Sequence, residues 1–504
     1  MDPGSSPLLA RWSKLAHEAR PAVIDASGTH SYSAIDERSR RVAGALLGGA
    51  RSPASRRVAL LISPGADWVS AFYGVLRAGG CVVVLSPMHP EAETSYFCDD
   101  AQVDTLIASP DLAPRLDTIA RTRRLLTTDA LRVEAPATDL PRIETSHAAL
   151  QLYTSGTTGK PKGAVLTHAN LGVQQDAMIG AWAHSANDVL VHALPLHHLH
   201  GLGIALLNLL GAGGCARMLP QFDAVAIWEA MREATLFMGV PTMYTKLFVA
   251  FDAADEATRA RWTAGARALR LATSGSAALP VTLGERWRTI TGAYPLERFG
   301  MTEIGVGMSN PLGGPRKPGM VGLPVAGVET RIVNDNEEDA PSGELWVRGP
   351  SVFAGYWKRE DATRAAFAND VHGGDPWFKT GDTVTRDDDG WFKVLGRTSV
   401  DILKSGGFKL SALEIEEVLR EHVSVSEVAV VGVPDETWGE RVVACVVLQT
   451  GHECDEATLR AFAKERLASY KVPKEVIAMS ELPRNAIGKV QKVELVKILR
   501  GGTS

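Results

Sequence analysis

The 504-residue sequence has only five cysteines, Cys81, Cys98, Cys215, Cys445 and Cys454, and none forms a CxxC pair. An odd number at such wide spacing argues against a disulfide framework or a structural zinc site and fits buried thiols in a reducing compartment. No basic tract with interleaved aromatics occurs. With 53 basic and 58 acidic residues the net charge is only −5, so nothing supports a nucleic-acid surface. No stretch reaches the roughly 18 apolar residues of a membrane span. The apolar segment 202–210 ends at the glycines between Gly211 and Gly214. Near the N-terminus, Asp2, Glu18 and Asp25 alternate with Arg11, Lys14 and Arg20, which speaks against a signal or transit peptide. There is no internal repeat.

What is present suits a protein with more than one core: 45% hydrophobic and 22% charged residues over this length. Residues 32–47 have helical spacing. Segments 58–62, 81–85 and 103–107 read as buried strands, with a helix over 68–76 between the first two. Strands are expected again at 188–193, 237–240 and 269–273, with a buried helix at 202–210 and a helix starting at Pro241. This alternation is the mark of an α/β sheet covered on both faces. From about residue 320 the segments 328–333, 344–348 and 391–394 read as short strands between turn-rich stretches, which suggests an antiparallel unit. After Arg397 the pattern changes once more. A helix at 411–421, strands at 425–433 (ended by Pro434) and 442–448, and a helix at 456–467 describe a compact α+β unit. The main boundary is expected at 1–396 against 397–504, joined by a short hinge because no Gly/Ser-rich tether lies there.

The string Tyr153-Thr154-Ser155-Gly156-Thr157-Thr158-Gly159-Lys160-Pro161-Lys162-Gly163 combines hydroxyls, glycines and lysines. Glycines allow turns whose N–H groups converge on an anion, hydroxyls donate to phosphate oxygens, and lysines add charge. It is not the P-loop NTPase pattern, since Lys160 precedes a proline rather than a serine or threonine. By composition alone a surface loop without ligand remains open.

The whole string, however, resembles the adenylate-forming superfamily of acyl-CoA synthetases, luciferases and peptide-synthetase adenylation domains. Further matching strings follow in order: Phe299-Gly300-Met301-Thr302-Glu303, Thr380-Gly381-Asp382, Gly396-Arg397, Gly406-Gly407 and Pro483-Arg484-Asn485-Ala486-Ile487-Gly488-Lys489. The resemblance implies an acyl-CoA synthetase-like α/β fold, with two α/β sheets and a distorted β-barrel in a large N-terminal domain and a small, mobile α+β C-terminal domain. It implies two half-reactions. A carboxylate attacks the α-phosphate of Mg-ATP and releases pyrophosphate; coenzyme A then attacks the acyl-adenylate and releases AMP.

The resemblance also implies roles. Thr154, Ser155, Gly156, Thr157, Thr158, Gly159 and Lys162 would hold the β- and γ-phosphates. Glu303 would be the Mg2+ ligand, the hard cation also meeting phosphate oxygens, and Thr302 would touch the α-phosphate. Phe299, where tyrosine is more usual, would stack on adenine, with Gly275, Ser276, Gly300 and Met301 around it. Asp382 would accept from the ribose hydroxyls, assisted by Arg397. Lys489 would offset the charge that builds during adenylation. Gly406 and Gly407, with Lys404 nearby, would replace it at the thioester step. Ser399 stands where many relatives place a hinge Lys or Asp, which leaves the hinge residue open.

For the acid, the strings Leu196-His197-His198-Leu199-His200-Gly201, 240–247 and 396–402 look most like the malonyl-CoA synthetase branch, often mitochondrial in eukaryotes. By itself the histidine trio is read as packing or hydrogen bonding, and Arg270 as a strand arginine that needs an anionic partner, a protein salt bridge included. The branch implies that Arg270 grips the distal carboxylate of malonate, with His200 shaping the pocket and Ser309 near it. A planar guanidinium takes a carboxylate bidentately. Methylmalonate is a second candidate, since one methyl changes binding only modestly. The competing expectations are a synthetase for another short, medium-chain or aromatic acid, and an adenylation enzyme loading a carrier protein. Small-molecule partners, no nucleic acid, no membrane and no obligatory protein partner are expected, in the cytoplasm or alternatively the mitochondrion.

Overall fold

Continuous apolar runs in the first half become strands buried on both faces, as parallel pairing demands. In the computed structural model, which describes residues 6–48, 56–154, 160–370, 373–484 and 490–501, the strands Arg57–Leu61, Cys81–Val84 and Thr105–Ala108 are parallel and wholly buried. They sit in a seven-stranded sheet. The helix Tyr32–Leu47 has the bounds that its periodicity predicts. The Ser31 side chain accepts from the Ala34 N–H at its start, and Gly48 ends it at φ 54°.

A nine-stranded sheet carries the parallel strands Val189–His192, Leu236–Gly239, Leu271–Ser274 and Leu296–Met301. The helices Pro241–Ala253, Glu256–Arg267 and Val281–Thr291 lie between them in sequence. Parallel strands bring their carboxyl ends to one edge of the sheet, where such folds bind ligands. A five-stranded, largely antiparallel sheet including Glu329–Val333, Ser342–Arg348, Trp377–Arg386 and Phe392–Arg397 takes the place expected for the barrel. The last five-stranded sheet, with helices Ala412–Arg420 and Glu456–Arg466, has its own core around Leu403, Ile415, Leu419, Val430 and Leu459. No described helix is long and apolar enough to cross a membrane.

Three local expectations are corrected. The apolar stretch after Leu199 is a π-helix over His200–Leu207 that becomes α-helical only at Asn208–Gly211. Every residue of it is buried, so side-chain periodicity carries no trace of the wider winding. A Cβ on Gly201 would lie 2.3 Å from the Pro195 carbonyl oxygen, so only glycine permits this close approach. The Val425–Asp435 strand runs through Pro434 instead of ending there. Pro434 pairs with Glu440 one step from the end of the ladder, where a missing donor disturbs little. The strand expected from residue 269 starts only at Leu271, leaving Arg270 ahead of it.

Candidate active site

At the carboxyl edge of the nine-stranded sheet, His200 opens the π-helix and its Nδ1 lies 3.0 Å from the Ser276 hydroxyl. Ser276 adopts φ 68°, a left-handed conformation that is costly for a residue with a Cβ and common at functional sites. The His200 Nε2 is buried without a hydrogen-bond partner among the described residues. Burial, then the nearby Arg298 charge, pushes the His200 pKa well below the ordinary imidazole range, so the ring is neutral.

Arg298 was missed from the sequence and is the most telling group here. It sits on the Leu296–Met301 strand, only 4% exposed, and its Nε and Nη2 have no hydrogen-bond partner among the described residues. Burial draws its pKa down to about 10. A Cβ on Gly275 would stand 2.4 Å from the Arg298 Nε, so the bare glycine makes room for the guanidinium. A buried cation with unused donors is costly unless an anion meets it. The available signal was a charged pair, Glu297-Arg298, inside an otherwise buried strand.

Arg270 does not face this site. Its Nε and Nη2 donate to the two carboxylate oxygens of Asp188, each at 2.6 Å, and its Nη1 donates to the Trp182 carbonyl. It precedes the Leu271–Ser274 strand and so lies at the opposite edge from the strand's carboxyl end. Burial alone would raise the Asp188 carboxyl, but hydrogen bonds from Arg270, Ser185 and Thr235 bring it below the usual range. Arg270→Ala is expected to destabilise the protein by about 1–3 kcal/mol, because it strands a carboxylate that is 2% exposed, with KM for the acid unchanged. Thermal melts and initial rates check this. The Ser309 hydroxyl donates to the Asn310 carbonyl at 2.8 Å and accepts the Trp182 indole N–H at 3.0 Å, so its proton is already engaged. Opposite Arg298 in the ladder, it belongs to the wall of the site.

On the phosphate side, Thr154 pairs with Lys162 across the antiparallel strands Ala148–Thr154 and Lys162–Thr167. This brings together the flanks of Ser155, Gly156, Thr157, Thr158 and Gly159, which lie outside the described residues. Phe299, Gly300 and Met301 end the Leu296–Met301 strand, and Thr302 and Glu303 follow in the turn. Glu303 is 4% exposed and accepts the Tyr356 hydroxyl at 2.9 Å. Burial raises its pKa, opposed by Tyr356, Arg397 and Lys162. A buried carboxylate of this kind suits Mg2+, which takes one or two protein carboxylates and fills its remaining positions with phosphate and water. Asp382 and Arg397 stand opposite each other on paired strands, with Arg397 Nε 3.3 Å from Asp382 Oδ1 and Nη1 donating to the Thr380 carbonyl.

Lys489 lies outside the described residues, between Arg484 and Val490, which form a β-bridge. Gly406 and Gly407, at φ 58° and 84°, make the two-residue turn between Ile402–Ser405 and Phe408–Ser411, with exposed Lys404 on the first strand. The rings of His197 and His198 lie 4.2 Å apart and those of His89 and His197 5.1 Å apart; burial brings His197 to about 2 and His198 to about 4.

Glu297, beside Arg298 in sequence, accepts the Gly319 N–H at 2.8 Å. Burial, helped by the Glu417 carboxylate, raises its pKa to about 8. A carboxyl raised on folding stabilises the protein at low pH, and that contribution is lost as pH rises through about 8. Glu297→Gln, neutral at all pH, is expected to melt higher than wild type at pH 9 and close to it at pH 5.

The chain matches the AMP-binding enzyme family over residues 10–357 and the AMP-binding enzyme C-terminal domain over 414–489. It is 41% identical to the mouse mitochondrial malonate–CoA ligase, over 98% of this chain and 91% of that protein. Its fold superposes on ATP-bound MatB from Rhodopseudomonas palustris with a TM-score of 0.90 at 33% identity, covering 99% of this chain and 100% of the other. A benzoate CoA ligase from Burkholderia xenovorans LB400 gives 0.85 at 29% identity, covering 97% and 99%.

Proposed function

We infer that this chain, which belongs to the AMP-binding enzyme family, ligates malonate to coenzyme A through a malonyl-adenylate, releasing pyrophosphate and then AMP. The observation that carries the choice of acid is the buried Arg298, with Nε and Nη2 unpartnered beside the unpartnered Nε2 of His200. One carboxylate of malonate reacts; the other needs a partner in the same pocket. A guanidinium takes it with two parallel N–H donors, and the neutral imidazole adds a third contact. A monocarboxylic acid of similar size would leave the arginine buried and unpaired, which disfavours it.

In the first half-reaction the reacting carboxylate oxygen bonds to the α-phosphorus as the bond to the bridging oxygen breaks. Thr154, Lys162 and residues 155–159 hold the departing pyrophosphate, and Thr302 contacts the α-phosphate. Phe299 stacks on adenine, while Asp382 and Arg397 fix the ribose. When bound, Mg2+ neutralises phosphate charge; Glu303 supplies the protein's oxygen ligand. Lys489 bridges the attacking carboxylate and the ribose–phosphate oxygens. In the second half-reaction the thiol sulfur bonds to the acyl carbon and AMP leaves. Residues 397–504 turn against 1–396 between the steps, presenting the Gly406-Gly407 hairpin and Lys404 in place of Lys489.

Small-molecule substrates alone suffice in this reading. The compartment is the cytoplasm or, following the mouse relative, the mitochondrion; cell fractionation separates the two. Pyrophosphate exchange with malonate, methylmalonate, butyrate and benzoate, followed by CoA-dependent AMP release from the purified chain, tests the function. Exchange with butyrate or benzoate but not malonate would overturn it. Adenylation without CoA-dependent turnover would point to a carrier-protein acceptor.

A further inference from the structure

The segment Phe353–Trp357 joins two parts of the site that lie far apart in sequence. On one side the Phe353 N–H donates to the Glu303 carbonyl at 2.8 Å. On the other, the short strand Gly355–Tyr356 pairs antiparallel with Lys162–Thr167, and the Trp357 N–H donates to the Gly163 carbonyl at 2.8 Å. Tyr356 is the side chain that spans the gap. Its hydroxyl donates to Glu303 Oε1 at 2.9 Å, while the Lys162 ammonium lies 5.1 Å from its ring centroid. The ring is itself held. Phe353 packs edge-on against it at 4.8 Å and in turn contacts Phe367 and Phe378, and the Tyr356 N–H donates to Thr363 Oγ1 at 2.9 Å.

We propose that Tyr356 is a positioning residue that sets the metal-binding carboxylate of Glu303 and the phosphate-binding ammonium of Lys162 in one fixed arrangement. The hydroxyl leaves one carboxylate oxygen engaged and orients the other. The ring face draws the lysine by its quadrupole. A group that orients a metal ligand acts on metal affinity without touching the metal. This proposal rests on the reading of Glu303 as the magnesium carboxylate.

Tyr356→Phe removes the hydroxyl and keeps the ring. Mn2+ binding to the enzyme–ATP complex, followed by electron paramagnetic resonance, is expected to weaken by about 10-fold or more. ATP binding measured in EDTA stays at the wild-type value. Tyr356→Leu, which also removes the ring from Lys162, is expected to weaken ATP binding in EDTA as well. In a Glu303→Gln background, Tyr356→Phe should have no further effect on Mn2+ binding. Wild-type Mn2+ affinity in Tyr356→Phe, with loss in Glu303→Gln, overturns the proposal alone. Wild-type affinity in Glu303→Gln removes the reading of Glu303 and the proposal with it. An equal loss of ATP binding in EDTA in Tyr356→Phe would show a merely structural tyrosine.

Discussion

Replacing Arg298 with methionine is expected to lower kcat/KM for malonate by about 10²- to 10⁴-fold, while KM for ATP changes little. The size follows from the surroundings of the guanidinium. It is 4% exposed, and its Nε and Nη2 have no partner among the described residues. Removing one member of a buried, hydrogen-bonded charge pair costs about 3–5 kcal/mol, and each 1.4 kcal/mol is about tenfold in rate. Methionine fills similar volume without charge, so the strand should keep its packing. The same change should raise exchange with butyrate, because a pocket without a buried cation no longer penalises an apolar acid. Arg298→Lys should recover only part of the malonate activity, since an ammonium on a shorter reach cannot offer the planar fork. Pyrophosphate exchange with both acids, in all three proteins, is the measurement. Equal losses in malonate and ATP parameters would mean that Arg298 holds the fold rather than the acid.

Lys489→Ala is expected to reduce adenylation by about 10²- to 10³-fold, the range for losing a preorganised electrostatic contact in the transition state. Thioester formation from supplied malonyl-adenylate should stay within a few-fold of wild type. The asymmetry follows from where charge develops. During adenylation an anionic carboxylate closes on an anionic phosphate, and a lysine between them relieves the repulsion. In the thioester step a neutral acyl carbon meets a thiol, and no such pair of anions has to close. Pre-steady-state assays of each half-reaction separate the two. Loss of both would overturn the assignment.

The family was legible because the strings that mark it are local in sequence. The strings 154–162, Phe299–Glu303, Thr380–Asp382 and Gly396-Arg397 each carry their hydrogen-bonding groups within a few residues, and the ladder that pairs Asp382 with Arg397 only brings two such strings together. Helix bounds such as Tyr32–Leu47 were also legible, from one face's periodicity and a serine cap. The π-helix His200–Leu207 was not, because a stretch buried on every side has no polar face to mark its pitch.

The two arginines show where sequence stops. Both stand at short strands of the same sheet, and either could meet a carboxylate. What separates them is the strand edge. Arg270 lies before the first residue of Leu271–Ser274 and finds Asp188, 82 residues away in sequence. Arg298 lies within Leu296–Met301, where Gly275 leaves space for it and no anion of the described residues reaches its Nε and Nη2. The sequence by itself determined the family and the nucleotide chemistry, and it placed two arginines at strands of this sheet. Only the tertiary structure decided which of the two is tied to a protein carboxylate and which keeps unused donors, because an ion pair depends on distances across the sheet and on the burial of both partners, neither of which is written in local order.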